Sequence, residues 1–409
     1  MSPLVALDDV RAEILGAVTP LAPVAVDLAD AHGLVLAADV VAGEDVPPFA
    51  NTAMDGYAVR AADTAGATAD APARLRVVGE LPAGRAPSTP VGTGEAIRIM
   101  TGAPMPAGAD AVVMVERTAP DGADGVLVQV EVDDGLHVRA AGGDLTTGEV
   151  VFPAGTRLAA AHIGVLRSVG ATTVQAFPRP RVGVLSTGDE LVESGPLEPG
   201  KIRDSNRPML LALAREAGME AVDLGRAPDD EDTITRMLED ALDRCDAVLT
   251  SGGVSVGDYD YVKAALERLG SLQWRQVAIK PAKPLAFGVV RDTPLFGLPG
   301  NPVSSLVSFE LFARPALRQL AGDPHRFRPE VVARAGADLS RRPDGKLHLD
   351  RVRVAWSDGG YVATRTGDQA SNVLSATALA NALALLEDGD GVGAGDDVRV
   401  MLLDAPPDH

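Results

Sequence analysis

Between residues 181 and 320, short apolar runs alternate with amphipathic segments, and that alternation constrains the fold more than any other feature of the chain. Residues 182–185, 247–249, 285–290 and 294–298 are apolar runs of strand length. Between and after them lie helical patterns at 208–216, 261–269 and 303–320, and an apolar face formed by Ile234, Met237, Leu238, Ala241 and Leu242. Asn206 is placed to cap the first of these helices and Gly218 to end it. Asp229 and Asp230 stand where a cap for the second belongs. Strand and helix in repeated alternation predict a doubly wound α/β sheet, whose ligands bind outside the carboxyl ends of the strands.

The flanking regions read differently. Val10, Ile14, Leu15 and Val18 have helical spacing near the start, and residues 159–169 form another helix candidate stopped by Gly170. From about 70 to 140, apolar runs at 75–78, 96–100, 111–115 and 126–132 alternate with Gly, Pro and Asp clusters, which predicts a small β domain. Residues 331–333, 347–354, 361–364 and 398–403 predict β structure again after Phe327.

The chain has 409 residues, enough for several domains, with 46% hydrophobic and 23% charged residues. Aromatics are 3%, so the cores must be built from Ala, Val and Leu. With 57 acidic against 37 basic residues, the net charge of -20 argues against a nucleic-acid surface. No apolar run is long enough to span a bilayer and the first residues carry no basic start, so a cytoplasmic location is expected. The single Cys245 excludes an internal disulfide and is expected to be a buried structural residue. The scattered histidines show neither metal-ligand spacing nor a hydrolase triad.

Two strand-to-loop junctions carry chemistry. One ends in Ser186-Thr187-Gly188-Asp189-Glu190 and the other in Ser251-Gly252-Gly253-Val254-Ser255 and on to Gly257. Glycines there let backbone N–H groups approach a phosphate, although they also serve simple tight turns. Asp229, Asp258 and Asp260 are carboxylates beside these loops, suited to Mg²⁺ or, singly, to capping and turns. In Lys280-Pro-Ala-Lys283-Pro284 two prolines fix the backbone around two lysines, which suits phosphate or oxyanion binding, or else a solvated basic turn. Pro299-Gly300-Asn301-Pro302 opens the long helix, whose N-terminus offers N–H groups to an anion or is simply capped.

These motifs, with Asn51-Thr-Ala-Met-Asp-Gly-Tyr-Ala58 and Arg98-Ile-Met-Thr-Gly-Ala-Pro-Met-Pro106, resemble the MoeA and gephyrin E-domain family of molybdopterin molybdenumtransferases, in the family's order and over most of the chain. The resemblance implies a discontinuous helical linker domain (1–46 and 141–178), an inserted small β domain (47–140), an α/β molybdopterin-binding domain (179–326) and a C-terminal β-barrel-like domain (327–409). It implies a homodimer, with a molybdopterin adenylyltransferase as candidate partner. It implies that molybdate enters adenylylated molybdopterin with release of AMP, assisted by Mg²⁺.

By the same resemblance, Lys280, Lys283 and the loops (Ser186, Thr187, Gly188, Ser251, Gly252, Gly253, Ser255, Pro299, Gly300, Asn301 and Pro302) hold the pterin phosphate and molybdate. Asp229, Asp260 and Glu190 position the metal. Asp55, Thr101, Arg139 and Asp144 come from across the dimer, and Arg351 and Ser371 from the C-terminal domain. Thr52 replaces a frequent Ser and keeps the hydroxyl. Gln276, beside Arg275, stands where some relatives carry Lys, and Asp368-Gln-Ala-Ser371 departs from a more usual His-Gln-Gly-Ser. Ala282 replaces a usual Gly, so the turn between the lysines is expected not to use a positive φ. The competing readings are a scaffold that has lost catalysis and an unrelated nucleotide-binding α/β protein; the retained Asp55, Asp229, Asp260, Lys280 and Lys283 oppose the first, and the motifs in the β regions oppose the second.

Overall fold

The computed structural model describes residues 3–252, 261–270, 272–357 and 359–405. The chain divides into two compact units. One comprises residues 1–24, 33–37 and 176–409, the other residues 25–32 and 38–175.

The first unit holds a seven-stranded sheet. Its elements are β1 (Leu4–Val5), α1 (Leu7–Ala17), β2 (Arg181–Thr187), α2 (Asn206–Glu216), β3 (Glu220–Ala227), α3 (Glu231–Arg244), β4 (Ala247–Ser251), α4 (Tyr261–Leu269), β5 (Gln273–Val277), β6 (Pro284–Val290), β7 (Thr293–Leu298) and α5 (Pro302–Ser308). The strand order is β1-β5-β6-β7-β4-β2-β3. Strands β7, β4, β2 and β3 are mutually parallel, as the alternation predicts. Strand β6 is antiparallel to both neighbours, a departure from that prediction. Arg291 (φ 50°) and Asp292 (φ 66°) form the two-residue turn between β6 and β7, the geometry that returns a strand directly alongside itself.

Both faces of the sheet are covered, which explains the near-continuous apolar strands. Val182 and Val184 pack with Leu210, Ala214, Phe296 and Leu317 on one side. Leu185 and Val248 pack with Ile234, Leu238, Val262 and Leu266 on the other. Asp230 caps α3 by accepting the Thr233 N–H at 2.8 Å. Asn206 does not cap α2; it is the first helical residue, and its side chain reaches elsewhere. The predicted long helix from 303 to 320 is continuous but not regular: α5 passes through a π-helical segment, Phe309–Ala313, into α6, Arg314–Leu320. Cys245 is buried, and burial raises its thiol pKa, as a structural cysteine requires.

The C-terminal part closes into a barrel of β8 (Glu330–Ala335), β9 (Leu347–Ser357), β10 (Gly360–Arg365), β11 (Ala382–Leu386) and β12 (Asp397–Leu402), because β9 pairs with β11 as well as with β10. A short helix, α7 (Leu374–Ala378), lies between β10 and β11. Val352, Val354, Ala363, Ala384 and Val400 fill its interior. The two-residue strand Ile279–Lys280 pairs in parallel with Leu347 and His348, so the lysine segment is tied to the barrel wall.

The second unit is built on a six-stranded sheet whose members include Gly56–Val59, Ala73–Leu81, Glu95–Ile99 and Ala111–Met114. Its core is small-residue β structure, with Val59, Ala96, Ala111, Val113 and Val126 buried. The helix Ala160–Ser168 belongs to this unit too. Among the described residues no helix is long and apolar enough to cross a membrane.

Candidate functional site

In the first unit, the order of the parallel strands reverses at β2, with β3 added on one side of it and β4 on the other. The loops leaving β2 and β4 therefore diverge at their carboxyl ends, where such sheets bind ligands. Three loops meet there. Gly252 donates its N–H to the Leu298 carbonyl at 3.1 Å. At φ +100° its Cα leaves no easy room for a Cβ, which would lie 3.0 Å from the Thr187 carbonyl oxygen. Asn206 spans the remaining gap, its amide donating to the Ser251 hydroxyl at 2.8 Å and to the Gly300 carbonyl at 2.6 Å. A residue expected to cap a helix thus clamps the loop after β4 to the loop after β7.

A cleft of about 560 Å³ opens beside these loops, within the range of small-ligand sites. Glu190, Lys280, Lys283, Pro299, Gly300, Asn301 and Ser371 all line it, as the sequence anticipates. Ile202, Ser304, Gln369 and Ala370 line it as well; Ser304 ends the motif Gly297-Leu-Pro-Gly-Asn-Pro-Val-Ser304, which carries part of the family resemblance, whereas sequence reasoning had no signal for Ile202. Among the described residues, neither the Lys280 nor the Lys283 ammonium group has a hydrogen-bond or ion-pair partner. The turn between them corrects the expectation for Ala282, which takes φ 73° and is buried. A buried alanine holds the left-handed conformation there despite its strain.

The entrance to α5 offers less to an anion than its sequence suggests. Pro302 has no N–H, and the Val303 N–H is given to the Ser371 carbonyl at 3.3 Å. Asn301 makes no side-chain cap; its amide donates to the Ser371 hydroxyl at 3.2 Å. Ser371 is thereby docked on the α/β domain from the loop after β10.

Arg351, expected to touch substrate, does not line the cleft. It is 1% exposed, and its guanidinium donates to the carbonyls of Asp368 (3.2 Å) and Ala370 (3.1 Å). Gln369 completes the link, accepting the Arg351 N–H at 2.7 Å. Burial lowers the Arg351 pKa, against the opposing pull of Asp350 and Asp368. Arg351 is a positioning residue for the loop that carries Ser371.

Ser186 is also withdrawn from the surface. Fully buried, it donates to Asp204 at 2.6 Å, in a network where Arg207 Nε bonds the same carboxylate at 3.0 Å. Thr187, Ser251 and Gly252 sit at the strand ends. At Gly188, a Cβ would collide with the Glu190 carboxylate at 2.5 Å, so only glycine lets Glu190 fold back over the loop.

Asp229 is not a cap. Its carboxylate accepts the Asp189 N–H at 3.1 Å, while the Asp189 carboxylate accepts the Asp229 N–H at 3.4 Å. Arg226 donates to the Gly188 carbonyl at 3.0 Å beside this pair. Asp189 stood in a quoted motif without a role, and Arg226 had no signal at all. Gly253, Ser255, Asp258 and Asp260 lie outside the described residues. Among the described residues no group of three or more His, Cys, Asp or Glu is placed to hold a metal ion.

In the second unit, Asp55 accepts both the backbone N–H (2.7 Å) and the hydroxyl (2.8 Å) of Thr101. Those two bonds, the backbone one first, hold its carboxyl below the usual carboxylate range. Arg139 is exposed on a short strand paired with Asn51–Thr52, and Asp144 is exposed on the loop that bonds back to Val46. Thr52 keeps its hydroxyl at work, donating to the Met54 carbonyl at 2.7 Å.

Three family models match successive stretches of the chain. A family model of the MoeA N-terminal region (domain I and II) matches residues 5–170. One of a probable molybdopterin binding domain matches 183–319, and one of the MoeA C-terminal region (domain IV) matches 333–403. A Mycobacterium tuberculosis protein named molybdopterin molybdenumtransferase 2 is 42% identical over 389 residues, covering 92% of this chain and 94% of its own length. The Haemophilus influenzae molybdopterin molybdenumtransferase is 35% identical over 402 residues, covering 97% and 98%. The crystal structure of a molybdopterin biosynthesis moeA protein from Pyrococcus horikoshii OT3 superposes with TM-score 0.80 at 32% identity, covering 98% of this chain and all of that one.

Proposed function

The chain belongs to the MoeA family of molybdopterin molybdenumtransferases, and from that premise we propose that Lys280 and Lys283 hold the oxyanions exchanged when it inserts molybdenum into molybdopterin. The observation that carries this reading is the pairing of two unpartnered ammonium groups with tightly clamped strand-end loops in one cleft. The substrates are adenylylated molybdopterin and molybdate, and the products are molybdenum cofactor and AMP. Breaking a phosphoanhydride asks for placed positive charge and fixed geometry more than for covalent help. Lys280 and Lys283 supply the charge as mobile point cations on a backbone stiffened by Pro281 and Pro284. Asn206, Gly252 and Gly300 fix the loops against which the phosphate lies. Ser371, held by Asn301 and by the loop Arg351 braces, adds a hydroxyl from the barrel side.

The residues present fit a divalent cation by donor chemistry. Asp229 and Glu190 are exposed carboxylates at the strand ends, and Mg²⁺ takes one or two carboxylates together with phosphate oxygens and water. Asp229, Glu190 and Asp260 would hold it, and when bound it neutralises phosphate charge. The working form is a homodimer whose second copy brings Asp55, Thr101, Arg139 and Asp144 to the cleft. Asp55 suits that task because Thr101 keeps it ionised and oriented.

The test is AMP release from adenylylated molybdopterin, with and without molybdate and Mg²⁺, in the wild type, Lys283→Ala and Asp260→Ala. Release that needs both additions and fails in both variants upholds the reading. Substrate binding without AMP release in the wild type overturns it. Mixing inactive Lys280→Ala with inactive Asp55→Ala restores activity only if two copies share each site.

A further inference from the structure

Farther along the helix whose start borders the lysine cleft lies a second cleft, of about 670 Å³. Its wall is apolar: Met209 and Leu213 from α2, Leu306 from α5 and Leu403 after β12. Its charged members are Glu216, Glu310, Asp404 and Arg328. Glu310 sits on the π-helical segment, and such distortions often mark sites of function. Its buried carboxylate is matched by Arg328 through two bonds of 2.9 Å. Arg314 lies 3.7 Å from the same carboxylate, behind the cleft lining. Glu216 and Asp404 are exposed and form no salt bridge among the described residues; both act at longer range on Arg328, and the lining keeps a net negative charge of three carboxylates against one arginine.

An independent feature points to an occupant. Thr377, from α7, lines the same cleft, is 5% exposed, and its hydroxyl has no hydrogen-bond partner among the described residues. A buried hydroxyl without a partner is costly unless something else satisfies it.

We infer that this cleft binds an aliphatic cation, an ammonium or guanidinium group on a hydrocarbon stem. The stem covers Met209, Leu213 and Leu306, as the stems of Lys and Arg cover apolar surface elsewhere. The cationic head lies toward Glu216 and Asp404 and donates to the Thr377 hydroxyl. An anion is repelled by the net charge, and a neutral apolar ligand leaves the carboxylates and Thr377 unsatisfied. The site shares no lining residue with the lysine cleft, so the inference is independent of the proposed reaction.

Calorimetric titration of the full chain with agmatine tests it, with 1-pentanol as the uncharged control. Saturable agmatine binding at one site per chain is expected, with no binding of 1-pentanol. The double variant Glu216→Gln/Asp404→Asn should weaken agmatine by about tenfold, each exposed carboxylate counting for roughly threefold. Thr377→Val, which keeps the shape, should weaken it by about threefold. A short acetylated peptide with a central Arg separates the two sources of such a cation: tighter binding than agmatine points to a protein side chain, weaker binding to a free amine. Undetectable agmatine binding, equal binding of 1-pentanol, or unchanged affinity in the double variant would each overturn the inference. Glu216 and Asp404 are exposed, so their loss should not unfold the chain.

Discussion

One continuous helix borders two clefts of similar size and opposite charge. At its start, Asn301 and Ser304 face a cleft whose only described cations are Lys280 and Lys283. Along its middle, Leu306 and Glu310 face a cleft with three carboxylates and one arginine. The first is made of loops, glycines and prolines at strand ends, where backbone and ammonium groups can close on an oxyanion. The second is made of helix faces and a chain end, where side-chain stems form the wall. A shared scaffold therefore supports opposite recognition, because what decides it is which side chains the helix presents at each turn.

The sharpest way to break that comparison is to remove charge from one cleft and leave the other intact. Lys280→Ala and Lys283→Ala should each lower the rate of molybdenum insertion by about 10²-fold or more, the scale of a lost charge-stabilising donor. Stability should change by less than about 0.5 kcal/mol, since both ammonium groups are exposed. Glu216→Gln and Asp404→Asn should leave the rate at its wild-type value. Parallel rate assays and urea melts check this. A comparable loss of rate in the acid-cleft variants would show that the two sites are not separate.

Arg351→Met comes next. It removes a buried guanidinium that braces Asp368 and Ala370, and leaves those carbonyls without their donor. A loss of about 3 kcal/mol is expected. Limited proteolysis should show the loop carrying Ser371 becoming accessible, and KM should rise more than kcat falls. A pure kcat effect with the loop intact would mean that Arg351 reaches the reacting groups after all.

These two predictions mark what could be seen in the sequence. The lysine cleft was legible because its parts are motifs: prolines around lysines, glycines after strands, a Pro-Gly-Asn-Pro turn before a helix. Each has a backbone reason to exist that a single sequence exposes. The Asp230 cap and the parallel strands were legible for the same reason. The reversal of β6 was not, since apolar runs fix a strand but not its direction, and its turn is Arg291-Asp292 with no glycine to announce it. Nor was the bracing role of Arg351, because burial of an arginine against carbonyls has no sequence signature. The acid cleft had none either, being assembled from α2, the π-helical segment, α7 and the chain end.

A pH titration sharpens the comparison at the barrel wall. His348, paired in the strand register with Lys280, is buried, and that burial, with Arg341 nearby, lowers its pKa despite hydrogen bonding to Asp344. Lys280 acts in the same lowering direction. The folded state thus binds fewer protons here than the unfolded one. The stabilisation is present above the unfolded histidine value of about 6.5 and is lost as pH falls below it toward the depressed folded value. Asp344 is held below the usual carboxylate range by Lys346, so it stays charged across this window. Chemical denaturation at stepped pH should show stability declining below about 6.5, and His348→Gln should flatten that slope. A slope unchanged in the variant would place its origin elsewhere.

The smallest expected effect concerns the turn that aims the two lysines. Ala282 carries a left-handed φ of 73° while 2% exposed. Ala282→Gly relieves about 1 kcal/mol of strain, but it adds about 0.5–1 kcal/mol of unfolded-state freedom and removes one buried methyl group worth about 0.8 kcal/mol. The terms nearly cancel, so the thermal midpoint should stay within a few degrees of wild type. Ala282→Val is the informative partner, because a β-branched residue at positive φ is a true outlier and should destabilise by about 2 kcal/mol or more. If Gly and Val behave alike, the turn is not held in the left-handed region in solution, and the lysines are aimed by the barrel pairing of Ile279–Lys280 alone.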